Sequence, residues 1–272
     1  MTTKSLNQPR KHSPSRNEVR SYPITCIMMR PETEELLRVW ELGVHRSWAA
    51  RAVLLVSLAD PNSEAHDIIR LSIGERDARL FRLRRLLFGG RLDCLIDCPG
   101  CGESLETALS IDSIMGSFGV TANPESVERI TVGESDVVFR LPNSEDLLAL
   151  EDDPERRADV QLLQRCVVHA MIYGETVPPA ALPDTVQHAI TKRMAESDPR
   201  ADVRLDLDCP QCHHRWQAGF DIVSHLWLEI DAWARRIMGD VHVLASAYGW
   251  PERDILTMTE ARRTAYLDMI AV

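Results

Sequence analysis

Two short stretches of this chain carry one pattern. Asp97-Cys98-Pro99-Gly100-Cys101 and Asp208-Cys209-Pro210-Gln211-Cys212 each set a Cys-Pro-x-Cys turn behind an aspartate. Two thiolates separated by two residues can reach one tetrahedral ion when the backbone turns back over it. Proline after the first cysteine presets the turn, and glycine after the second accepts a left-handed backbone. The first copy has Gly102 at that position; the second has His213, which accepts the conformation at modest strain. One Cys-x-x-Cys also suits redox chemistry. Two copies with matching flanks point instead to a closed Cys₄ zinc site with Cys98, Cys101, Cys209 and Cys212 as ligands. His213 or His214 replacing one cysteine is the weaker alternative.

Four protein thiolates leave no coordination position for water or substrate. One zinc ion held this way is therefore expected to be structural, worth on the order of 10 kcal/mol in zinc-binding peptides. It would clamp segments far apart in sequence. The chain has seven cysteines; the other three, Cys26, Cys94 and Cys166, lack such spacing and read as buried apolar thiols.

The repeat extends beyond the cysteines. Arg91 to Asp97 and Val203 to Asp208 alternate apolar and polar residues before each turn, and Gly102 to Leu109 and His213 to Phe220 return as alternating strands after it. Each copy reads as one β-hairpin. With the cysteines superimposed, Leu105 corresponds to Trp216 and Leu109 to Phe220.

Around the hairpins the signals are mainly helical. Pro31 at a first helical position, with Glu32, Glu34 and Glu35 in the first turn, predicts a helix that breaks near Gly43. A second helix is expected from Trp48 to Leu58, closed by Asp60-Pro61-Asn62-Ser63. Ile73 to Phe88 has helical periodicity and a basic face, read as solvated and acid-paired, and Gly89-Gly90 ends it. Between the two knuckles, Val127–Thr131 and Val137–Leu141 suggest a hairpin around Gly133-Glu134-Ser135-Asp136. Ser144 is expected to cap a helix, and further helices are expected from about Arg157 to Met171 and from Asp184 to Ala195. Asp221 caps a long amphipathic helix ended by Gly249, whose wide apolar stripe needs partners on two sides. Trp250-Pro251 starts a short helix to Leu256, and Thr257 with Glu260 suggests a capping box for a last helix to Ile270.

The expected organisation is a disordered basic tail over 1–24, a helical region over 25–90 and a first zinc-knuckle hairpin over 91–112. An inserted hairpin-plus-helices segment follows over 113–200, then a second zinc-knuckle hairpin over 201–221 and a helical region over 222–272. The fold class is α+β: a mostly helical body with a zinc-ribbon-like pair of β-hairpins and a long inserted α/β segment.

Composition narrows the function. At 272 residues, 44% hydrophobic and 26% charged, the chain is built like an ordinary globular protein that can bury a sizeable core. Its longest apolar stretches, such as Ala52 to Leu58, are far shorter than a membrane span, and no secretory signal follows the basic N-terminus, so the expected compartment is the cytoplasm. A net charge of −10 disfavours a phosphate backbone as partner, which demotes the alternative of a zinc-ribbon nucleic-acid-binding or regulatory protein. There is no Gly-x-x-x-x-Gly-Lys loop, Gly-x-Ser-x-Gly elbow or His-Glu-x-x-His. His225 and Glu229, at i and i+4, read as a surface pair, and Asp152 and Asp153 have no metal or basic partner nearby in sequence. Neither an enzyme nor a small-molecule substrate is expected. The aromatic residues Trp216, Phe220, Trp227, Trp233, Tyr248 and Trp250 crowd the last quarter of the chain, as core or as an interface with another protein.

Several stretches resemble the T-even-type baseplate hub assembly chaperones of contractile phage tails and extracellular contractile injection systems. They are Glu35-Leu36-Leu37-Arg38-Val39-Trp40-Glu41, Ile73-Gly74-Glu75-Arg76-Asp77, the two knuckles, and Phe139-Arg140-Leu141-Pro142-Asn143-Ser144-Glu145-Asp146-Leu147. Towards the end come Ile230-Asp231-Ala232-Trp233-Ala234, Tyr248-Gly249-Trp250 and Arg262-Arg263-x-x-Tyr266. The resemblance implies a non-enzymatic role in assembling or forming a baseplate. Its implied partners are baseplate, hub or spike proteins, and the knuckle cysteines carry over as metal ligands.

Overall fold

A computed structural model describes residues 30–116, 127–151 and 158–270. The expected tail over 1–24, Cys26, and Asp152 and Asp153 lie outside the described residues.

The first helix, α1, spans Thr33–Gly43, with Glu32 in extended backbone before it. Pro31 thus precedes the cap and is not the first helical residue, while Glu34 and Glu35 occupy the first turn as expected. Helix α2 runs Trp48–Ala59, capped by the Ser47 hydroxyl accepting from the Ala50 amide, and α3 runs Ala65–Arg70. Helix α4 spans Ile73–Phe88, capped by Ser72 and ended by Gly89 at φ 88°, a conformation that favours glycine.

Strands β1 (Arg91–Asp97) and β2 (Ser104–Ser110) form the first hairpin and lead into α5 (Ile111–Gly116). Strands β3 (Val127–Val132) and β4 (Ser135–Arg140) follow, joined by the two-residue turn Gly133-Glu134. Both strands are longer, and the turn tighter, than their sequence suggests. Helix α6 (Ser144–Glu151) is capped by Asn143, not Ser144. The Asn143 side-chain oxygen accepts from the Asp146 amide, and the Asp146 carboxylate accepts from the Asn143 amide. This is a reciprocal capping box.

The expected helix from Arg157 to Met171 is the largest correction. Helix α7 covers only Ala158–Cys166, and the chain then becomes strand β5 (Val167–Ile172), paired with β4 around a bulge at Val138/Phe139. The β-branched pair Val167-Val168 suits a pleated surface, and pairing with β4 overrides the weak helical period. Strand β6 (Glu175–Thr176) completes an antiparallel sheet in the order β3-β4-β5-β6. Helix α8 spans Asp184–Ser197.

The second hairpin pairs β7 (Val203–Asp208) with β8 (Arg215–Phe220) and leads into the 27-residue helix α9 (Ile222–Tyr248). Asp221 accepts from the amides of Val223 and Ser224, and Gly249 ends the helix at φ 70°. Helices α10 (Glu252–Leu256) and α11 (Glu260–Ile270) close the chain. Thr259 caps α11 by accepting from Arg262; Thr257 instead donates to the Asp254 carbonyl.

The main core joins α2, α4, α9 and both knuckle hairpins. Leu55, Val56, Leu80, Phe81, Leu92, Val203, Leu205, Ile222, Leu226 and Ile230 are all buried in it. Each such side chain contributes roughly 1.5–3 kcal/mol over leaving it in water. Farther along α9, Ala234 and Ile237 pack with Leu37 of α1 and Leu256 of α10, so the wide stripe does find partners on two sides. The segment between the hairpins builds a core of its own from Val137, Phe139, Leu163, Ala170, Val186 and Ile190. Polar contacts join it to α4: Ile73 donates to the Pro142 carbonyl at 3.2 Å, and Gly74 to the Asp198 carboxylate at 2.8 Å.

Candidate metal centre

The two hairpins are copies down to single hydrogen bonds. The Cys98 amide donates to the Glu103 carbonyl at 2.8 Å, and the Cys209 amide donates to the His214 carbonyl at 3.0 Å. Gly102 donates to the Cys98 carbonyl, and His213 to the Cys209 carbonyl. Both Gly102 and His213 are left-handed, at φ 76° and 57°. His213 therefore accepts the conformation for which the first copy uses glycine. The cross-strand pairs also match, Leu92 with Leu109 and Val203 with Phe220. The correspondence runs one step past the strands: Ile111 and Ile222, both buried, each start the helix that follows their hairpin. Extending the cysteine alignment by ten residues would have revealed this pair.

The turns bring four sulfurs together. Cys98 Sγ lies 3.7 Å from Cys212 Sγ, Cys101 Sγ lies 3.7 Å from Cys209 Sγ, and all four sit within 4.8 Å of one another. Around a tetrahedral ion with Zn–S bonds of about 2.3 Å, sulfurs stand about 3.8 Å apart. Two cysteines, Cys98 and Cys209, are buried; Cys101 and Cys212 face outward. The Gly100 amide lies 3.4 Å from Cys98 Sγ. Backbone N–H groups of Cys212 and Gln211 outweigh burial and hold the Cys209 thiol down, at about 7. The Cys101 thiol, despite the Glu103 amide, is pushed up to about 12 by the neighbouring cysteine sulfurs and burial. Four thiolates this close repel one another unless a cation lies among them. The cluster could hold a metal ion, and among the described residues no histidine joins it. His214 instead stacks on Trp216, 5.9 Å between ring centroids, and leaves no room for a side chain at Gly100 without crowding.

Other expectations fare unevenly. Cys166 is buried as expected, and burial followed by the nearby Asp146 charge pushes its thiol up to about 12. Cys94 is only half-buried. His225 and Glu229 are not a surface pair: both are largely covered, 3.6 Å apart, and Glu229 takes a two-pronged contact from Arg84 at 2.6 and 2.9 Å. Arg84 is itself 4% exposed, and also donates to the carbonyls of Gly89 and Arg91. It thereby ties α4, the first hairpin and α9 together.

The basic face of α4 is acid-paired as expected, but it is not all solvated. Arg76 is buried against Asp77, Arg79 pairs with Asp60 and Glu75, and Arg85 pairs with Asp112. Those guanidinium groups are paired within the chain, while Arg82 on the same helix is exposed with no ion pair among the described residues. Of the aromatic set, Trp227 is core, while Tyr248 stacks on Trp250 at 4.4 Å and Tyr266 packs edge-on to both. No described helix is long and apolar enough to cross a membrane.

Neither the curated proteins nor the solved structures contain a match to this chain. A family model does match, over residues 54–225, a span that includes both knuckles and everything between them. On that match the chain belongs to the family described as T4 bacteriophage base plate protein.

Proposed function

We propose that this protein is a non-enzymatic, zinc-stabilised assembly factor or structural component of the baseplate of a contractile phage tail or contractile injection system. Family membership supports a baseplate structural or assembly role. The four converging sulfurs of Cys98, Cys101, Cys209 and Cys212 carry the rest of the reading. In it one zinc ion staples the two hairpins, which hold the two ends of the inserted segment against α4 and α9. A closed S₄ shell offers substrate no place on the metal, so the ion's role is mechanical.

The protein acts in the cytoplasm, where particles are assembled, on baseplate, hub or spike proteins. Two experiments test this. Tagged full-length protein should co-purify with baseplate components, and its deletion should stop assembly of intact particles. Recovery of none of them, together with normal particles after deletion, would overturn the role.

A further inference from the structure

The knuckle hairpins are both two-stranded, and among the described residues neither pairs with a third strand. Hydrogen-bond alternation shows which groups are left over. The Cys98–Glu103 and Gly90–Ile111 contacts fix the bonded register of β1 with β2. Leu105, Thr107 and Leu109 then face β1 with their amides and carbonyls, while Ser104, Glu106 and Ala108 turn theirs outward. An open edge of this kind is a template for another strand.

This edge borders a cleft of about 560 Å³ between the two hairpins. Its apolar lining includes Leu95, Leu105 and Leu207, and its acids are Glu103, Glu106 and Asp208; among the described residues no lysine or arginine lines it. Leu95 is 68% exposed, an unusual position for a leucine in the middle of a strand. Asp208 is paired with Arg215, but Glu103 and Glu106 have no ion pair among the described residues. Open backbone groups, an exposed leucine, and an acid and a leucine on opposite faces of β2 at Glu106 and Leu105 describe the complement of one kind of occupant. That occupant is an extended polypeptide whose side chains alternate basic and apolar.

We propose that a basic, extended segment of a baseplate partner docks in this cleft by adding as a strand along β2. The proposal rests on the reading of this chain as a baseplate-binding protein, and names the chemistry by which it would bind. Main-chain bonds to Ser104, Glu106 and Ala108 would supply affinity. Glu103 and Glu106 would select basic side chains over acidic ones.

The test uses the full chain with two synthetic probes, a peptide of alternating Lys and Val and its Glu-Val counterpart. In the free protein the amides of Ser104, Glu106 and Ala108 should exchange hydrogen quickly. The Lys-Val peptide should protect them, should bind at least tenfold more tightly than the Glu-Val peptide, and should lose at least tenfold in affinity when its strand-facing amides are N-methylated. Glu106→Pro removes an outward N–H without touching the β1 ladder; it should weaken the peptide by a similar factor while leaving metal content unchanged. Equal binding of the two peptides, protection elsewhere on the molecule, or no binding at all would overturn the proposal. Protection of these amides before any peptide is added would also overturn it, by showing that the chain's own residues fill the cleft. If wild-type protein captures baseplate components and Glu106→Pro captures them equally well, the cleft is wrong and the assembly role stands. If the wild type captures none, the assembly role itself fails.

Discussion

The amide of Gly74 donates to the carboxylate of Asp198 at 2.8 Å, and the fit leaves no room for a β-carbon at residue 74. A methyl group there would sit 1.8 Å from Asp198 Oδ1 and 2.9 Å from Arg200 Cβ. Gly74 lies in the first turn of α4, and Asp198 follows α8 of the inserted segment. An acid from the insertion thus rests on the positive end of a core helix, where its charge is favoured. The relationship gives a physical reason for the glycine in Ile73-Gly74-Glu75-Arg76-Asp77.

Gly74→Ala should therefore destabilise the protein by about 1–3 kcal/mol, the usual cost of overpacking a fitted site. Urea denaturation measures it. Asp198→Ala alone should cost about 1 kcal/mol as a lost cap. The double variant should lose less than the sum, because removing the carboxylate makes room for the methyl group. Strict additivity would mean that the two residues do not meet.

A second prediction concerns Asp146, which is fully buried. Its carboxylate accepts from Arg140 at 2.6 and 2.8 Å, from Arg165 at 3.2 Å and from the Asn143 amide at 3.1 Å. Burial alone would raise its pKa, but these donors, Arg140 foremost, hold it below the usual carboxylate value of 3.8. Asp146→Ala removes the acceptor of two partly exposed guanidinium groups and one half of the capping box, and should cost about 1–3 kcal/mol. A depressed pKa means that this stabilisation is present above the unfolded value near 3.8 and is lost as pH falls through the lower folded value. Wild type should accordingly lose stability below pH 3.8 more steeply than the Asp146 variant, in denaturation series taken at stepped pH.

Asp77 should behave in the opposite sense. Burial raises its carboxyl from 3.8 to about 6 despite the adjoining Arg76 guanidinium, with the charges of Asp221 and Asp198 adding to the rise. A folded pKa above the unfolded one contributes stability at pH below 3.8, which is lost as pH rises through about 6. The unfolding free energy should drop by about 3 kcal/mol across that window, at about 1.4 kcal/mol per pKa unit. Asp77→Asn should flatten that slope. A carboxyl resonance of Asp77 titrating near 4 would contradict the assignment.

What could be read from the sequence divides along physical lines. Cysteine spacing and strand alternation are local, so the two Cys-x-x-Cys turns, their hairpins and the correspondence of Leu105 with Trp216 were legible from spacing alone. So were the bounds of α4 and the caps of α9, since Asp221 and Gly249 act on their own helix. The end of α7 at Cys166 was not legible, because the next residues, Val167-Val168, belong to a strand only once β4 lies beside them. Nor was the cap of α6: Ser144, Asn143 and the acids after them offer several equivalent choices, and Asp146 decides among them through its contact with Arg140. The burial of Arg84 depends on Glu229, far away in the chain, and helical periodicity alone reads such an arginine as solvated.

In the proposed centre one zinc ion on Cys98, Cys101, Cys209 and Cys212 staples the two hairpins. X-ray absorption at the zinc edge, on full-length protein of measured metal content, tests it most directly. One zinc per chain with four sulfur neighbours at about 2.3 Å is expected. Cys98→Ser or Cys209→Ser should release the ion and cause the chain to unfold or aggregate. Metal-free protein with an unchanged melting temperature, or a shell containing nitrogen or oxygen ligands, would contradict it.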